Sequence, residues 1–269
     1  MTPELAFWLA LALKMAVTAG FVIAAAAVAE RAGPVIGALV ATLPIAAGPA
    51  YVFLALDHDS AFIAQSAIGS IAAHAATAAF SLAYVLLAQR FGVAVSVGGA
   101  VAVWFALAFP LRSVPWTFLG VAGTNLAIFA ICILLTARYR HAAMPPIASR
   151  WYDVPLRALM VAGLVAAVVG LSGRVGATVT GLLAVYPIVM TSLMLIFQPR
   201  VGGPATAALI ANTMWGLVGF SAGLFTVHLA TLRLGSWAGL ALALAVSVGW
   251  NLTLWGLRRR RLLLRRAGR

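Results

Sequence analysis

The sequence predicts an all-α, polytopic membrane protein with about nine transmembrane helices, and three observations support that fold class. Hydrophobic residues make up 64% of the chain and charged residues 9%, with a mean hydropathy of +1.07. A chain of this composition lacks the polar surface that a water-soluble domain needs. Its hydrophobic stretches are long enough to cross about 30 Å of hydrocarbon, and much of the first half recurs in the second half.

Nine hydrophobic stretches of membrane-spanning length are separated by mostly short loops. Backbone groups in lipid must be hydrogen-bonded within the chain, so each stretch is expected to be helical. The first stretch is expected to be a mature span and not a signal peptide, because Glu4 replaces the positive n-region and Lys14 interrupts the apolar run. The stretches cover approximately residues 5–29, 34–56, 61–88, 91–111, 116–136, 152–172, 176–197, 204–232 and 236–256.

The distribution of basic residues predicts an orientation in the membrane. The formal net charge is +13, but the basic residues lie at the ends of the stretches and in a C-terminal tail, which argues against a nucleic-acid partner. With nine spans, fourteen arginines share one face, whereas Arg112, Arg174 and Arg233 lie on the other. The positive-inside rule then puts the N-terminus outside and the C-terminus in the cytoplasm.

The composition also predicts a location. Arginine in place of lysine, together with abundant alanine, is typical of a GC-rich bacterium, so the bacterial inner (plasma) membrane is the expected site. The basic tail is expected to bind anionic lipid headgroups.

An internal repeat runs from about Lys14 to Gly92 and returns 143 positions later, pairing Lys14 with Arg157 and Pro44 with Pro187. Five crossings separate equivalent positions. Because that number is odd, the second copy is expected to enter the membrane upside down relative to the first. Further pairs are Gly20 with Gly163, Arg31 with Arg174, Gly33 with Gly176, Leu39 with Leu182, Ala41 with Ala184, Ile45 with Ile188, Arg90 with Arg233 and Gly92 with Gly235.

The repeat divides the chain into four predicted parts. Residues 1–112 form a first four-helix repeat, and residues 151–257 form a second, inverted four-helix repeat. Residues 113–150 supply a connector helix and a cytoplasmic loop, and residues 258–269 form the basic cytoplasmic tail.

A proline lies in the middle of the same hydrophobic stretch in both copies. Each proline removes one helical amide donor and frees one carbonyl. Broken helices that meet across a pseudo-two-fold axis near mid-membrane are typical of a transporter's binding region, whereas a kink repaired by neighbouring helices is the structural alternative. Pro44, Gly48, Pro187 and Thr191 are therefore candidate solute-binding residues.

The stretches at residues 37–44 and 181–187 resemble the GlpM family. These are small four-span bacterial inner-membrane proteins whose second helix carries a Gly-Leu…Phe-Pro run and whose first helix begins with a lysine, which Lys14 and Arg157 would match. Leu43 and Tyr186 stand where the family has phenylalanine, and the aromatic and His-rich stretch after that proline is missing. The resemblance implies an antiparallel pair fused into one chain, and an association with envelope polysaccharide (alginate) production.

Five polar residues share one face of the third stretch because they are spaced three or four residues apart. His74 lies near mid-membrane, where a titratable group is by default a functional-site hypothesis; a neutral imidazole that holds helices together is the alternative. Its equivalent in the second copy is Leu217, so the two halves would do different jobs. The five residues are Ser66, Ser70, His74, Thr77 and Ser81, of which Ser70 and His74 are candidate binding residues.

Lys14 and Arg157 are expected some two turns inside opposite faces of the membrane, where each would draw an anionic group into the pathway. Snorkelling to headgroups is the alternative, and Asp153 is spaced to pair with Arg157 on one helix. The five acidic residues lie outside the stretches or at their ends. No buried carboxylate is expected for cation coupling, which favours an anionic, zwitterionic or neutral solute.

The sequence gives little support to an enzymatic function. Ser70 and His74 share a helix, so they do not pair as nucleophile and base from two helices, and no phosphate-cradling glycine motif appears. Residues 57–59 lack further spaced metal ligands and are expected to be an outer loop that caps the third helix. The sequence therefore predicts a secondary transporter of a small solute, with no cofactor or metal. A membrane scaffold for envelope polysaccharide production and a lipid flippase are the alternatives.

Overall fold

The computed structural model describes residues 2–31, 44–143, 145 and 150–267. Within these residues the chain forms nine α-helices and one short 3-10 turn, with no strand. The helices are α1 (Pro3–Arg31), α2 (Ala47–Asp57), α3 (Ser60–Leu87), α4 (Val93–Leu111), α5 (Phe118–Thr136), α6 (Asp153–Ala184), α7 (Ile188–Val201), α8 (Gly203–Leu234) and α9 (Ser236–Ala267).

Seven of these helices are long and apolar enough to cross a membrane; α2 and α7 are the shorter apolar ones. Large hydrophobic side chains cover the outer surface of the bundle, such as Leu119 and Leu134 on α5, which are 81% and 74% exposed. Such a surface suits lipid and not water. The sequence-based prediction of an all-helical, multi-pass membrane protein is therefore confirmed.

The central helix is α3, the most buried of the seven, and it packs against α4, α5, α6 and α8. Small side chains allow this close packing, as at other helix interfaces in membranes. A Cβ added at Gly69 would overlap the backbone of Thr178, and one added at Gly181 would overlap the backbone of Ser66. At its start, Asp59 accepts a 2.8 Å hydrogen bond from the amide of Phe62, so the predicted cap of this helix is confirmed.

Gly176 divides α6 into two parts. Its backbone has φ +75° and ψ 169°, close to the values at Gly202 and Gly235, which join α7 to α8 and α8 to α9. This conformation is one that side chains with a Cβ rarely adopt. A glycine turn, and not an extended loop, therefore separates the predicted stretches 152–172 and 176–197.

The contacts of α6 show that the chain reverses at Gly176. Before the turn, Ser172 Oγ is 2.8 Å from the ring of His58, which precedes the N-terminal end of α3. After the turn, the carbonyl of Gly181 accepts a hydrogen bond from Ser70, ten residues into α3. The chain thus reaches the N-terminal end of α3 and then runs back along it.

The predicted helix break at Pro187 is present. Helix α6 ends at Ala184, Val185 and Pro187 have non-helical backbone angles, and α7 begins at Ile188. In the first copy, Pro44 lies just before α2. Residues 34–43, the rest of the predicted second stretch, lie outside the described residues.

Helices α2 and α7 leave these prolines in opposite directions along α3. Helix α2 runs toward the N-terminal end of α3 and ends at Asp57, two residues before the cap of that helix. Helix α7 runs toward the C-terminal end of α3, where Gln198 accepts a 2.9 Å hydrogen bond from Tyr84.

Helix boundaries also recur at the 143-residue offset. The starts of α3 and α8, Ser60 and Gly203, differ by that offset, and so do the starts of α4 and α9, Val93 and Ser236. Two helix contacts are related by the same offset. Helix α4 packs on α7, and α9, the equivalent of α4, packs on α2, the equivalent of α7.

Candidate functional site

A cavity of about 440 Å³ lies between the two proline stretches and is lined by residues of α2, α3, α6, α7, α8 and α9 and of the segments that precede α2 and α7. Six pairs of residues related by the 143-residue offset line it. The pairs are Pro44 with Pro187, Ile45 with Ile188, Ala46 with Val189, Ala47 with Met190, His74 with Leu217, and Thr77 with Phe220.

The cavity also extends to one side, along α8 and α9. There its wall is formed by Leu209, Asn212, Thr213, Gly216, Asn251, Leu254 and Trp255. The offset relates Asn212 to Gly69, which lies against α6 and not against the cavity. The two copies therefore differ: the α3 face is covered by α6, whereas the equivalent α8 face lines the cavity.

His74 contributes a buried imidazole to the wall, with 1% of its surface exposed. Nδ1 is 2.9 Å from Ser221 Oγ, whereas Nε2 has no hydrogen-bond partner among the described residues. The rings of Phe129 and Phe220 pack beside it, each with a centroid 4.9 Å away. A buried polar atom without a partner costs free energy, so Nε2 is a ready site for a ligand hydrogen bond.

Two asparagines of the wall donate their amide hydrogens to helix carbonyls. Asn212 Nδ2 donates to the carbonyls of Ala208, at 2.9 Å, and Arg140, at 3.1 Å. Asn251 Nδ2 donates to the carbonyl of Ser247, at 2.9 Å. Neither Oδ1 atom accepts a hydrogen bond from the described residues, so both remain available as acceptors.

The threonines of the wall are bonded within the bundle. Thr213 donates to the carbonyl of Ile210 at 2.8 Å. Thr77 donates to the carbonyl of Ala73 at 3.3 Å and accepts a 3.2 Å bond from the indole of Trp104. The Thr77 hydroxyl is therefore used both as a donor and as an acceptor, whereas the Thr213 hydroxyl is used only as a donor and can still accept a hydrogen bond.

Three of the eight sequence-predicted site residues line the cavity, and the other five are not among its described lining residues. Pro44, Pro187 and His74 line the cavity. Gly48 and Thr191 each lie one turn further along α2 and α7, where the Gly48 amide donates to the carbonyl of Pro44 and the Thr191 hydroxyl donates to that of Pro187.

Ser70 lies between helices and away from the cavity lining. Its hydroxyl donates to the carbonyl of Gly181 at 2.6 Å and is 2.7 Å from the hydroxyl of Tyr51. With Ser66, His74, Thr77 and Ser81 it forms the polar face of α3, and all five side chains are buried. At Ser70 this face fastens α2, α3 and α6 together.

Lys14 and Arg157 lie apart from the cavity. Lys14 Nζ is 2.5 Å from Asp57 Oδ2. The expected pairing of Asp153 with Arg157 is wrong, because Asp153 instead binds Arg200 at 2.5 and 2.7 Å. Arg157 is half-buried, and its Nε has no partner among the described residues.

Tyr152, which precedes α6, lies beside this second ion pair. Its hydroxyl accepts a 2.6 Å hydrogen bond from Arg150, and that bond holds the pKa of Tyr152 below its usual range.

The sequence-based interpretation missed part of the cavity wall. Leu217 and Phe220 were within its reach, because the offset carries His74 and Thr77 onto them. Asn251 also lines the cavity, and nothing in its local sequence indicates this. The described residues contain no group of three or more His, Cys, Asp or Glu side chains that would hold a metal ion.

No protein-family model matches the chain, and no match is found among curated proteins or solved structures. The resemblance to the GlpM family stays a prediction.

Proposed function

We propose that the chain is a secondary transporter that moves a small solute by alternating access between two inverted four-helix repeats. One observation carries the proposal: the cavity is walled by six pairs of repeat-related residues, including both prolines. Secondary transporters with inverted repeats bind their solute between discontinuous helices near the bilayer midplane. A site shared by both repeats is reached from either side when one repeat rocks against the other.

Three features support the inverted arrangement. Helices α2 and α7 leave the cavity in opposite directions, the helix starts recur at a fixed offset, and the α4–α7 contact is matched by the α9–α2 contact. A parallel duplication would send α2 and α7 the same way. These features favour a pseudo-two-fold axis in the membrane plane, through the cavity.

Cysteine accessibility tests the proposal. In a Cys132→Ala background, Ala46→Cys and Val189→Cys introduce thiols at two repeat-related, half-buried positions of the wall. Both are expected to react with a small, membrane-impermeant thiol reagent. Ala67→Cys is the protected control, because Ala67 is fully buried and does not line the cavity. Protection of both wall positions, equal to that of Ala67→Cys, would favour a rigid scaffold for envelope polysaccharide production.

A lipid flippase is the second candidate, and the position of α9 favours it. This helix packs mainly on α8, yet its half-buried Leu254 and Trp255 line the cavity. One wall of the cavity is thus a peripheral helix next to lipid. Reconstituted protein that scrambles a fluorescent short-chain phospholipid between leaflets, measured by dithionite quenching, would support this candidate over the solute transporter.

We further propose that the protein lies in a bacterial inner membrane with its N-terminus outside and its basic tail on anionic cytoplasmic lipids. Ser113→Cys, in the exposed turn after α4, is expected to label in intact cells. Ala142→Cys, in the exposed segment after α5, is expected to label only after permeabilisation. The reverse pattern would invert the orientation and leave the cavity's function untouched.

A further inference from the structure

The charge of the cavity limits the solute that it holds. None of its described lining residues is Asp, Glu, Lys or Arg. The basic residues expected to attract an anion lie elsewhere: Lys14 pairs with Asp57, and Arg157 does not line the cavity. A charged solute would enter without a counter-charge, and an unpaired buried ion costs far more free energy than a neutral polar group.

The free polar groups on the α8 and α9 side are hydrogen-bond acceptors. The amide nitrogens of Asn212 and Asn251 face helix carbonyls. Exchanging the amide oxygen and nitrogen of either residue would set oxygen against oxygen, so the network fixes the orientation. Thr213 also spends its proton on a carbonyl, which leaves its oxygen as an acceptor.

The rest of the wall is mostly apolar and aromatic; its polar groups are the His74 imidazole, whose Nε2 has no partner among the described residues, and the hydroxyls of Thr77 and Tyr186. Ile45, Ile188 and Leu217 face the cavity together with the rings of Phe220 and Trp255. The volume, about 440 Å³, lies within the range of pockets that hold drug-sized molecules.

Resting on the proposed transport function, we propose that the solute is an uncharged, largely apolar molecule whose hydroxyl or N–H group donates a hydrogen bond to the Oδ1 atom of Asn212 or of Asn251. This deepens the sequence-based expectation, which left anionic, zwitterionic and neutral solutes open, and selects the neutral class.

A binding experiment with matched two-ring probes tests the proposal. Tritiated diphenylmethanol is titrated onto the full chain in lipid nanodiscs, and its saturable binding is competed with three analogues. The methyl ether of diphenylmethanol lacks the donor and is expected to compete about tenfold more weakly. Diphenylacetate and diphenylmethylammonium carry opposite charges, and neither is expected to compete.

Two variants tie the binding to this cavity. Leu217→Trp fills the space and is expected to remove saturable binding, whereas Leu244→Trp, at a lipid-facing position that is 46% exposed, is expected to keep it. Should Leu217→Trp fail to fold, the double variant Asn212→Leu with Asn251→Leu supplies an independent measurement. It removes the two amide acceptors that the proposal assigns to the solute, so the alcohol is expected to lose its advantage over the ether.

The outcomes separate this proposal from the one on which it rests. Competition by either ion at the level of the alcohol overturns the neutral class, as does equal competition by alcohol and ether in the unsubstituted chain or the absence of saturable binding. If Ala46→Cys and Val189→Cys still react with the aqueous reagent, the transport proposal stands and the solute class alone is wrong.

Discussion

Helices α2 and α7, the two short helices that lead away from the cavity, are each held by an ion pair at the C-terminal end. The short helix supplies the acid in one pair and the base in the other. At the end of α2, Asp57 binds Lys14 of α1. At the end of α7, Arg200 binds Asp153, the first residue of α6. Asp57 and Arg200 occupy equivalent positions under the 143-residue offset. The ion pair therefore occurs at equivalent positions of α2 and α7, but the charge that the helix contributes is negative in α2 and positive in α7.

The two ion pairs also differ in strength. The carboxylate of Asp153 takes both hydrogen bonds of the Arg200 guanidinium and one from the amide of Arg150 at 2.9 Å. The side chains of Arg200 and Asp153 are 14% and 11% exposed. Those of Lys14 and Asp57, which are joined by a single bond, are 18% and 38% exposed. Bidentate and less exposed pairs are the stronger ones. We therefore expect the C-terminal end of α2 to separate from α1 more readily than the C-terminal end of α7 separates from α6.

The largest effect is expected from breaking the α7 ion pair. Asp153→Ala removes the acceptor of three charge-assisted bonds, and the free energy of unfolding is expected to fall by about 2 kcal/mol. Denaturant titration in detergent micelles measures the change. Glu4→Gln is the matched control, because Glu4 is exposed and has no ion-pair partner among the described residues. A loss no larger than that of Asp57→Ala would contradict the ranking of the two pairs.

The sequence predicted the helices better than their contacts. Hydropathy and proline chemistry act along the chain, so the long apolar helices and the break at Pro187 followed from local patterns. The paired mid-span prolines predicted that the stretches around Pro44 and Pro187 lie close together, and both prolines line the cavity. That inference needed only the order of the chain.

Partners across the fold were harder to predict. The i, i+4 spacing put Arg157 within reach of Asp153, yet a bidentate guanidinium from α7 satisfies that carboxylate better than a helical neighbour. The glycine turn at Gly176 brings the two together, and hydropathy does not indicate such a turn. The cavity wall on α8 and α9 likewise depends on how whole helices pack, which Asn251 alone does not reveal.

Exchanging the charges of each pair gives a smaller and more informative effect. Asp153→Arg with Arg200→Asp restores opposite charges but puts an acid at the C-terminal end of α7, where the helix dipole favours a base. Recovery relative to Asp153→Ala is therefore expected to be partial. Lys14→Asp with Asp57→Lys moves a base to the C-terminal end of α2, and its stability is expected to reach or exceed that of the unsubstituted chain.

Both exchanges are measured by the same titration, with each single substitution as the reference. Full recovery at α7 together with a loss at α2 would show that the dipole plays no part in the difference between the two ends. In that case burial and bidentate geometry alone would explain why the α7 pair is stronger.

The smallest effect is expected from Asp57→Ala. The carboxylate is more than one-third exposed and makes one bond to Lys14, so its loss is expected to cost about 0.5 kcal/mol. The cost is expected to shrink further at 1 M salt, because screening weakens exposed pairs more than buried ones. The loss in Asp153→Ala is expected to change much less with salt. Equal salt sensitivity of the two losses would mean that both pairs are similarly hydrated, and the C-terminal ends of α2 and α7 would then separate from α1 and α6 with similar ease.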